Sequence, residues 1–290
     1  MRSKRVLKWL SIPAIASLTA ALSGCSSTDL AKGFLPGTPG GDTPTTNHTA
    51  MISEFWTTSW AILFGVGFLS WGLMAYALIV WRRRKGDTHT PPQMRYNNPI
   101  ETLFTVVPLV LVVGFFALTA KTMGDIETPV KSDYTIQVIG KQWSWDFNYT
   151  ESNVHETGIQ SQFAGEKGSK EGLPTLWLEK DVPVKVTLDA RDVIHSFWVI
   201  DFLYKKDMIP GKTNYMSIIP EREGTYAGKC AELCGEFHSQ MLFQVKVVSQ
   251  EEYDAYIQSL RDQGFEGQLG TEYDRNSNQA NVVASATESK

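Results

Sequence analysis

The stretch Cys230-Ala-Glu-Leu-Cys234-Gly-Glu-Phe-His238-Ser-Gln-Met241 places two thiols four residues apart, an imidazole four residues later and a thioether three beyond that. Thiolate, imidazole and thioether are the donors copper prefers over magnesium, calcium or manganese. One Cys, one His and a weak axial Met make up half of a mononuclear electron-transfer copper site, which needs a second His from elsewhere. Two Cys suffice for two coppers sharing bridging thiolates. Two blander readings stay open. A Cys230–Cys234 disulfide suits an exported chain, although it would close a very short loop and leave His238 and Met241 without a role. Zinc would take two Cys and two His but has no use for the Met.

Few residues are candidates for the second imidazole. His48 lies in a polar linker, His89 between two apolar spans and His155 at the start of a polar stretch. His195, in Asp192-Val-Ile-His-Ser-Phe-Trp198, sits where one strand candidate ends and an aromatic-rich one begins. A lone His on an apolar strand is ordinarily structural; the ligand loop downstream is what points His195 toward a metal.

Around these residues, from about Asp125, the pattern is one of short β segments. Tyr134–Gly140 and Val182–Leu188 alternate, as does Leu242–Val248, where Phe243, Val245 and Val247 share a face opposite Gln244 and Lys246. Further candidates are Trp143–Tyr149, Thr175–Glu179, Ser196–Ile200, Tyr215–Ile219 and Thr225–Lys229. Many short strands with Gly, Pro and Asp turns predict an antiparallel sandwich or barrel over 130–248. Residues 151–173 read as an exposed insertion. Ser249 and Glu252 form a capping box opening a helix over 249–264, with Tyr253, Tyr256, Ile257 and Leu260 on one face. Residues 265–290, polar and poor in aliphatics, are expected to be disordered.

The N-terminal part reads as an anchor. Residues 1–24 have a basic start, an apolar middle and the small-residue end Leu22-Ser23-Gly24 before Cys25, the pattern of a bacterial lipoprotein signal cut before Cys25. Lipidation of Cys25 would also account for the odd cysteine among three. Residues 25–51 read as a flexible tether. Phe55 to Trp81 is a run of 27 residues without a charge, so 52–85 and 99–122 are expected to be transmembrane helices joined by a loop at 86–98. Arg82, Arg83, Arg84, Lys85 and Arg95 against Asp87 place that loop in the cytoplasm and both ends of the hairpin outside. Removing the leader charges Arg2, Lys4, Arg5 and Lys8 from a net charge of −4 leaves −8. An acidic surface repels nucleic acid and suits a basic protein partner.

With these features together, the chain resembles the subunit II family of cytochrome c oxidase. The resemblance rests on C-A-E-L-C-G-E-F-H-S-Q-M, on D-V-I-H-S-F-W, on the Gln142-Trp143-Ser144-Trp145 stretch and on the order signal, hairpin, β domain, and it covers about 50–262. It implies a membrane-anchored α+β protein: a two-helix hairpin followed by a cupredoxin-like β-sandwich or barrel. His195, Cys230, Cys234, His238 and Met241 would bind a dinuclear copper (CuA) centre through side chains. Glu232 would give its backbone carbonyl to copper and its carboxylate to a Mg²⁺ shared with the catalytic subunit. Trp143 would be where electrons enter, although Ser144 stands where the family often has an aromatic, and barrel core is the plainer reading of Trp143. Glu101 would stand at the mouth of a proton pathway; a first-turn carboxylate stabilised by the helix dipole is its plainer reading. Asp192 and Asp207 match acidic positions near the copper and the subunit interface.

The implied function is to accept electrons from a c-type cytochrome, either soluble or held in a supercomplex, and pass them to haem in catalytic subunit I. That subunit, with haem and a further copper, reduces oxygen to water coupled to proton translocation. Other oxidase subunits and the lipid bilayer complete the partners, and the copper domain and both termini would face outward from a bacterial cell membrane. No Cys-x-x-Cys-His is present, so no c-type haem is fused to the chain. A quinol oxidase subunit would lack the copper ligands. A CuA-bearing nitrogen-oxide reductase and a copper-handling lipoprotein are the remaining alternatives.

Overall fold

The computed structural model describes residues 35, 43–88, 90–159 and 173–275. It divides into two compact units, one of residues 54–128 and one joining the residues up to 53 to those from 129 onward. The signal reading of 1–24 and Cys25 lie outside the described residues.

The smaller unit is built on α1 (Thr49–Val80) and α2 (Asn98–Glu127), both long and apolar enough to cross a membrane. At a rise of 1.5 Å per residue, α1 extends about 48 Å against a hydrocarbon core of about 30 Å. Trp56, Trp60, Phe64 and Phe68 follow at every fourth position and contact one another in turn, a stripe along one face of α1. Arg82 to Lys85, expected inside the first helix, follow its end, and a turn closed by the Asp87 N–H donating to the Arg84 carbonyl (3.0 Å) comes next. The second helix outruns its expected end at 122 and continues to Glu127, stopping where Pro129 disfavours helical backbone at Thr128; Lys121 pairs with Asp125 on its last turns (2.8 Å).

The larger unit is a sandwich of two five-stranded sheets. In chain order the strands are β1 (Tyr134–Lys141), β2 (Ser144–Tyr149), β3 (Val154–Thr157), β4 (Thr175–Glu179), β5 (Val184–Ala190), β6 (His195–Val199), β7 (Tyr204–Met208), β8 (Asn214–Ile218), β9 (Gly224–Cys230) and β10 (Leu242–Val248). One sheet runs β3-β2-β1-β5-β8 and the other β4-β10-β9-β6-β7. The alternating strands behave as their patterns require: Val184, Val186 and Leu188 of β5 and Phe243, Val245 and Val247 of β10 all face the core. At its centre Trp145, Phe197 and Phe243 pack with ring centroids 4.8–5.9 Å apart. Two pairings depart from the antiparallel expectation. β1 runs parallel to β5 and β4 parallel to β10, since alternation fixes a strand's buried face and not its neighbour's direction.

Three stretches read as loose are folded. The tether expected over 25–51 docks on the sandwich from residue 45: Thr46 bridges Pro220, Glu221 N–H donates to the Thr45 carbonyl (2.9 Å) and buried His48 bonds the Ser217 carbonyl through Nε2 (2.9 Å). Within the 151–173 insertion, β3 pairs with β2, while 160–172 fall outside the described residues. The helix α3 (Gln250–Asp262) opens on Ser249 as expected. It ends in a Schellman turn, with Phe265 N–H donating to the Leu260 carbonyl and Gly264 N–H to that of Arg261. Gly264 has φ +82°, which other residues adopt only under strain. The tail expected to be disordered from 265 instead continues across β3 and β2 as far as Arg275. It is held by the Glu266–Val154 bridge and by Asn148, whose side-chain amide pairs with both the N–H and the carbonyl of Leu269 (2.9 and 3.0 Å). This cover explains why all six residues of β2 are buried although Asp146 and Asn148 alternate with its aromatics.

α3 packs its Tyr256 ring flat on Trp177 (4.4 Å) and bonds its hydroxyl to Glu156 of β3. Burial pushes the Glu156 carboxyl above its ordinary value, and Tyr256, the Thr175 N–H and Lys246 only partly offset it. A carboxyl raised by folding contributes stability that is present in acid and lost as pH rises through the raised value. Glu156→Gln removes that loss. The variant's unfolding midpoint, measured relative to the native protein, is therefore expected to rise on going from about pH 4 to about pH 8.

Candidate metal centre

β9 and β10 form a hairpin whose connection is the loop 231–241, closed by Cys230 N–H donating to the Met241 carbonyl (3.0 Å). β6 lies on the other side of β9, with Phe197 opposite Cys230, and His195 is its first residue. The Ala231 N–H donates to the Ser196 carbonyl (3.1 Å), fixing the loop's start to that strand. Residues far apart in sequence thus converge at one end of one sheet.

The His195, Cys230 and Cys234 ligand atoms all lie within 4.8 Å of one another. Cys230 Sγ is 3.9 Å from His195 Nδ1, 3.8 Å from Cys234 Sγ and 3.1 Å from the Glu232 carbonyl oxygen. Cys234 Sγ is 3.5 Å from His238 Nδ1 and 3.7 Å from Met241 Sδ. The sulfurs therefore sit centrally, with His195 and the Glu232 carbonyl on the Cys230 side and His238 and Met241 on the Cys234 side. His195, Cys230, Cys234 and Met241 are buried and His238 is half-buried. The cysteines are free thiols, their sulfurs nearly twice the disulfide bond length of about 2.05 Å apart. Five soft or borderline side-chain donors exceed the four of a closed structural zinc site and suit two soft ions sharing the sulfurs.

The surrounding residues orient these ligands. Asp192 Oδ1 lies 2.8 Å from His195 Nε2 and also accepts from the Val193 N–H, which leaves Nδ1 turned to the sulfurs. This carboxylate–imidazole pair escaped the sequence reading, which noted Asp192 only as an acid near the copper. Its place three residues before His195 was the available signal. Burial alone would raise the Asp192 carboxyl, but His195 and the N–H groups of Gln142 and Val193 outweigh it and lower it. Burial pushes the Cys230 thiol up too, yet the His195 imidazole and the backbone at Glu232 and Ser196 bring it down to about 7. Cys234 is pushed up to about 12 by burial and by its neighbour Cys230. The metal-free site thus holds one thiolate readily, and a metal must displace the second proton.

Gly140 of β1 packs against the His195 ring, and a Cβ there would lie 2.9 Å from its Cδ2. Gly140→Ala is expected to push the imidazole off its line to the sulfurs. It should lower metal affinity by about 10–100-fold, the usual effect of disturbing a ligand's support, as read by competition with a chelator.

Trp143 stands against the loop. Its Nε1–H donates to the Cys234 carbonyl (3.3 Å) and its ring meets Phe237 edge-on (4.9 Å). It is only partly buried, whereas Trp145 fills the core. The Glu232 carboxylate is exposed. Glu101 lies in the smaller unit, in the first turn of α2, where its carboxylate accepts from the Asn97 N–H (2.9 Å) while Asn97 Oδ1 accepts from Ile100 (3.4 Å), a reciprocal cap. Asp207, on β7, accepts through its backbone carbonyl from Asn214 (2.6 Å).

Comparison with known proteins bears on most of the chain. Residues 134–248 match the family model described as cytochrome c oxidase subunit II, periplasmic domain. A probable cytochrome c oxidase subunit 2 of Streptomyces avermitilis is 41% identical over 287 residues, covering 87% of this chain and 88% of that protein. The cytochrome c oxidase subunit 2 of Corynebacterium diphtheriae is 30% identical over 300 residues, covering 83% and 82%. Among solved structures, the periplasmic domain of subunit II of cytochrome oxidase (CoxB) of Bradyrhizobium japonicum aligns with 46% of this chain and 97% of that one, at 27% identity and a TM-score of 0.42. Identity of this extent over nearly the full length settles the matter: the chain belongs to the cytochrome c oxidase subunit 2 family.

Proposed function

We propose that this chain is the electron-accepting subunit of a haem–copper cytochrome c oxidase, taking single electrons from a c-type cytochrome for delivery to haem in a catalytic partner subunit. One observation carries the reading: two unbonded buried sulfurs 3.8 Å apart, with an imidazole nitrogen beside each. His195, Cys230, Cys234, His238, Met241 and the Glu232 carbonyl would hold a dinuclear copper centre. When bound, that centre supplies a one-electron acceptor whose charge is shared between two metals.

The protein's part is to keep this set rigid. Ligands on paired strands and a hairpin closed at Met241 move little, so little reorganisation accompanies a change of charge. The partly buried Trp143, bonded to the Cys234 carbonyl, is the residue through which electrons enter. The Glu232 carboxylate, a hard oxygen donor beside the soft set, would reach a Mg²⁺ shared with the catalytic subunit. In α2, Glu101 would serve the mouth of a proton path in that partner, whose oxygen reduction drives proton translocation. The arginine-rich loop after α1 would face the cytoplasm, with the copper domain and both termini outside and Cys25 lipidated. An exchangeable copper-carrier site would be more open than one built from four buried ligands.

The test is to purify the intact complex from native membranes and measure copper, haem, oxygen uptake with a reduced c-type cytochrome and the EPR spectrum. Three coppers per complex, two in this chain and the further one of the catalytic subunit, are expected, with a hyperfine pattern from an electron shared by two coppers and with co-migrating haem. Zinc or a single copper in the site would sink the reading. Reduction of nitrogen oxides instead of oxygen would select the alternative reductase.

A further inference from the structure

The segment after α3 reaches the residues that support the metal centre. Beyond Gly264 the chain runs along β3 and β2. Gly267 N–H donates to the Asn153 carbonyl (2.9 Å), Leu269 pairs with Asn148, and the Gly270 carbonyl accepts from Arg191 Nη1 (2.8 Å). Arg191 is 94% buried, joins Asp146 (3.1 Å) and Asp274 (3.1 Å), and lies 5.5 Å from the Tyr273 ring centroid. Its carbonyl accepts from the Arg275 N–H (3.0 Å), which aims the Arg275 side chain at Gln142, whose Oε1 accepts from Nη1 (3.1 Å).

Gln142 is the junction. Its Nε2–H donates to the Cys234 carbonyl (2.8 Å) and its backbone N–H to Asp192 Oδ2 (2.7 Å), the carboxylate that orients His195. One residue therefore touches the supports of ligands on both sides of the sulfurs. A free glutamine amide rotates. Here a guanidinium on the oxygen and a carbonyl on the nitrogen fix which end faces the loop, because Oε1 cannot donate to Cys234 and Nε2 cannot accept from Arg275.

We infer that Arg275 is a positioning residue for the metal centre, acting through Gln142, and that Phe265–Arg275 is the strap that carries it there. This rests on the copper reading above. Loss of an outer support of this kind typically costs about 10–100-fold in metal affinity or activity.

The experiment uses the full chain in its oxidase complex. It measures the rate of copper loss to bicinchoninate, the EPR hyperfine pattern and the unfolding midpoint for R275A, R275K, Q142A and the double variant. Q268A is the control, since Gln268 sits on the same strap and, among the described residues, its side chain bonds the Thr150 carbonyl (3.1 Å), away from Gln142. R275A and Q142A should each lose copper about tenfold faster with altered hyperfine splitting, and the double variant no faster than either, as groups acting in series require. R275K should recover part of the loss, and Q268A should match the native protein. Native copper loss in R275A, additive effects in the double variant, or an equal effect of Q268A would each overturn the inference. Should R275A fail to assemble, R275M, which keeps the stem and drops the donor, carries the same expectation. Two coppers in the native chain with an unaffected R275A reject the strap alone. A native chain without two coppers rejects the copper reading itself.

Discussion

Cys230→Ser is expected to abolish the two-copper signature and oxygen reduction together while leaving the sandwich folded. Serine keeps the shape of the side chain, but its hydroxyl stays protonated at neutral pH and is a hard donor, so it cannot bridge two soft ions. Cys230 is the sulfur placed between His195 and the Glu232 carbonyl. Turnover with a c-type cytochrome should fall by more than about 100-fold, beyond what loss of an outer support alone costs. The hydroxyl is buried beside groups that can bond it, so the stability cost should stay within about 1–3 kcal/mol. Oxygen uptake, bound copper and the unfolding midpoint distinguish the outcomes. Retained turnover with normal copper would show that the electrons enter elsewhere.

Trp143→Phe separates electron entry from copper binding. Phenylalanine keeps a ring against Phe237. What disappears is the N–H donated to the Cys234 carbonyl and the extended indole face. Copper content and midpoint should remain near native, because Gln142 also holds that carbonyl. Reduction by a c-type cytochrome in stopped flow should slow by about 100-fold, equivalent to roughly 2.7 kcal/mol of barrier. A small artificial reductant should be unaffected. Equal slowing with both reductants would return Trp143 to a structural role.

The metal donors were legible because thiolate, imidazole and thioether crowd into one short loop, and His195 because few other histidines could reach it. The sandwich followed from alternation. What alternation could not convey was strand direction in the β1–β5 and β4–β10 pairs, since a buried face reads the same either way. The strap was illegible for another reason. Its residues are polar, and their partners, Asn148, Asn153 and Arg191, lie more than a hundred or some eighty positions earlier, so local composition reads as solvent-exposed chain. The Asp192–His195 and Gln142–Arg275 pairs depend on such distant convergence as well. Glu101 shows the reverse: its local context already contained the reciprocal cap with Asn97.

The parallel β4–β10 pair sets an order of events in the making of the protein. Thr175 pairs with Gln244 and Glu179 with Val248, so one sheet remains incomplete until nearly the whole domain has been synthesised. β9, which ends at Cys230, lies between β10 and β6 in that sheet. Contacts this distant in sequence form late and slowly. Until then Cys230 and Cys234 are two neighbouring thiols on an open chain, free to pair with each other. Folding buries both thiols, so a chain held short of that pairing would expose them to oxidants.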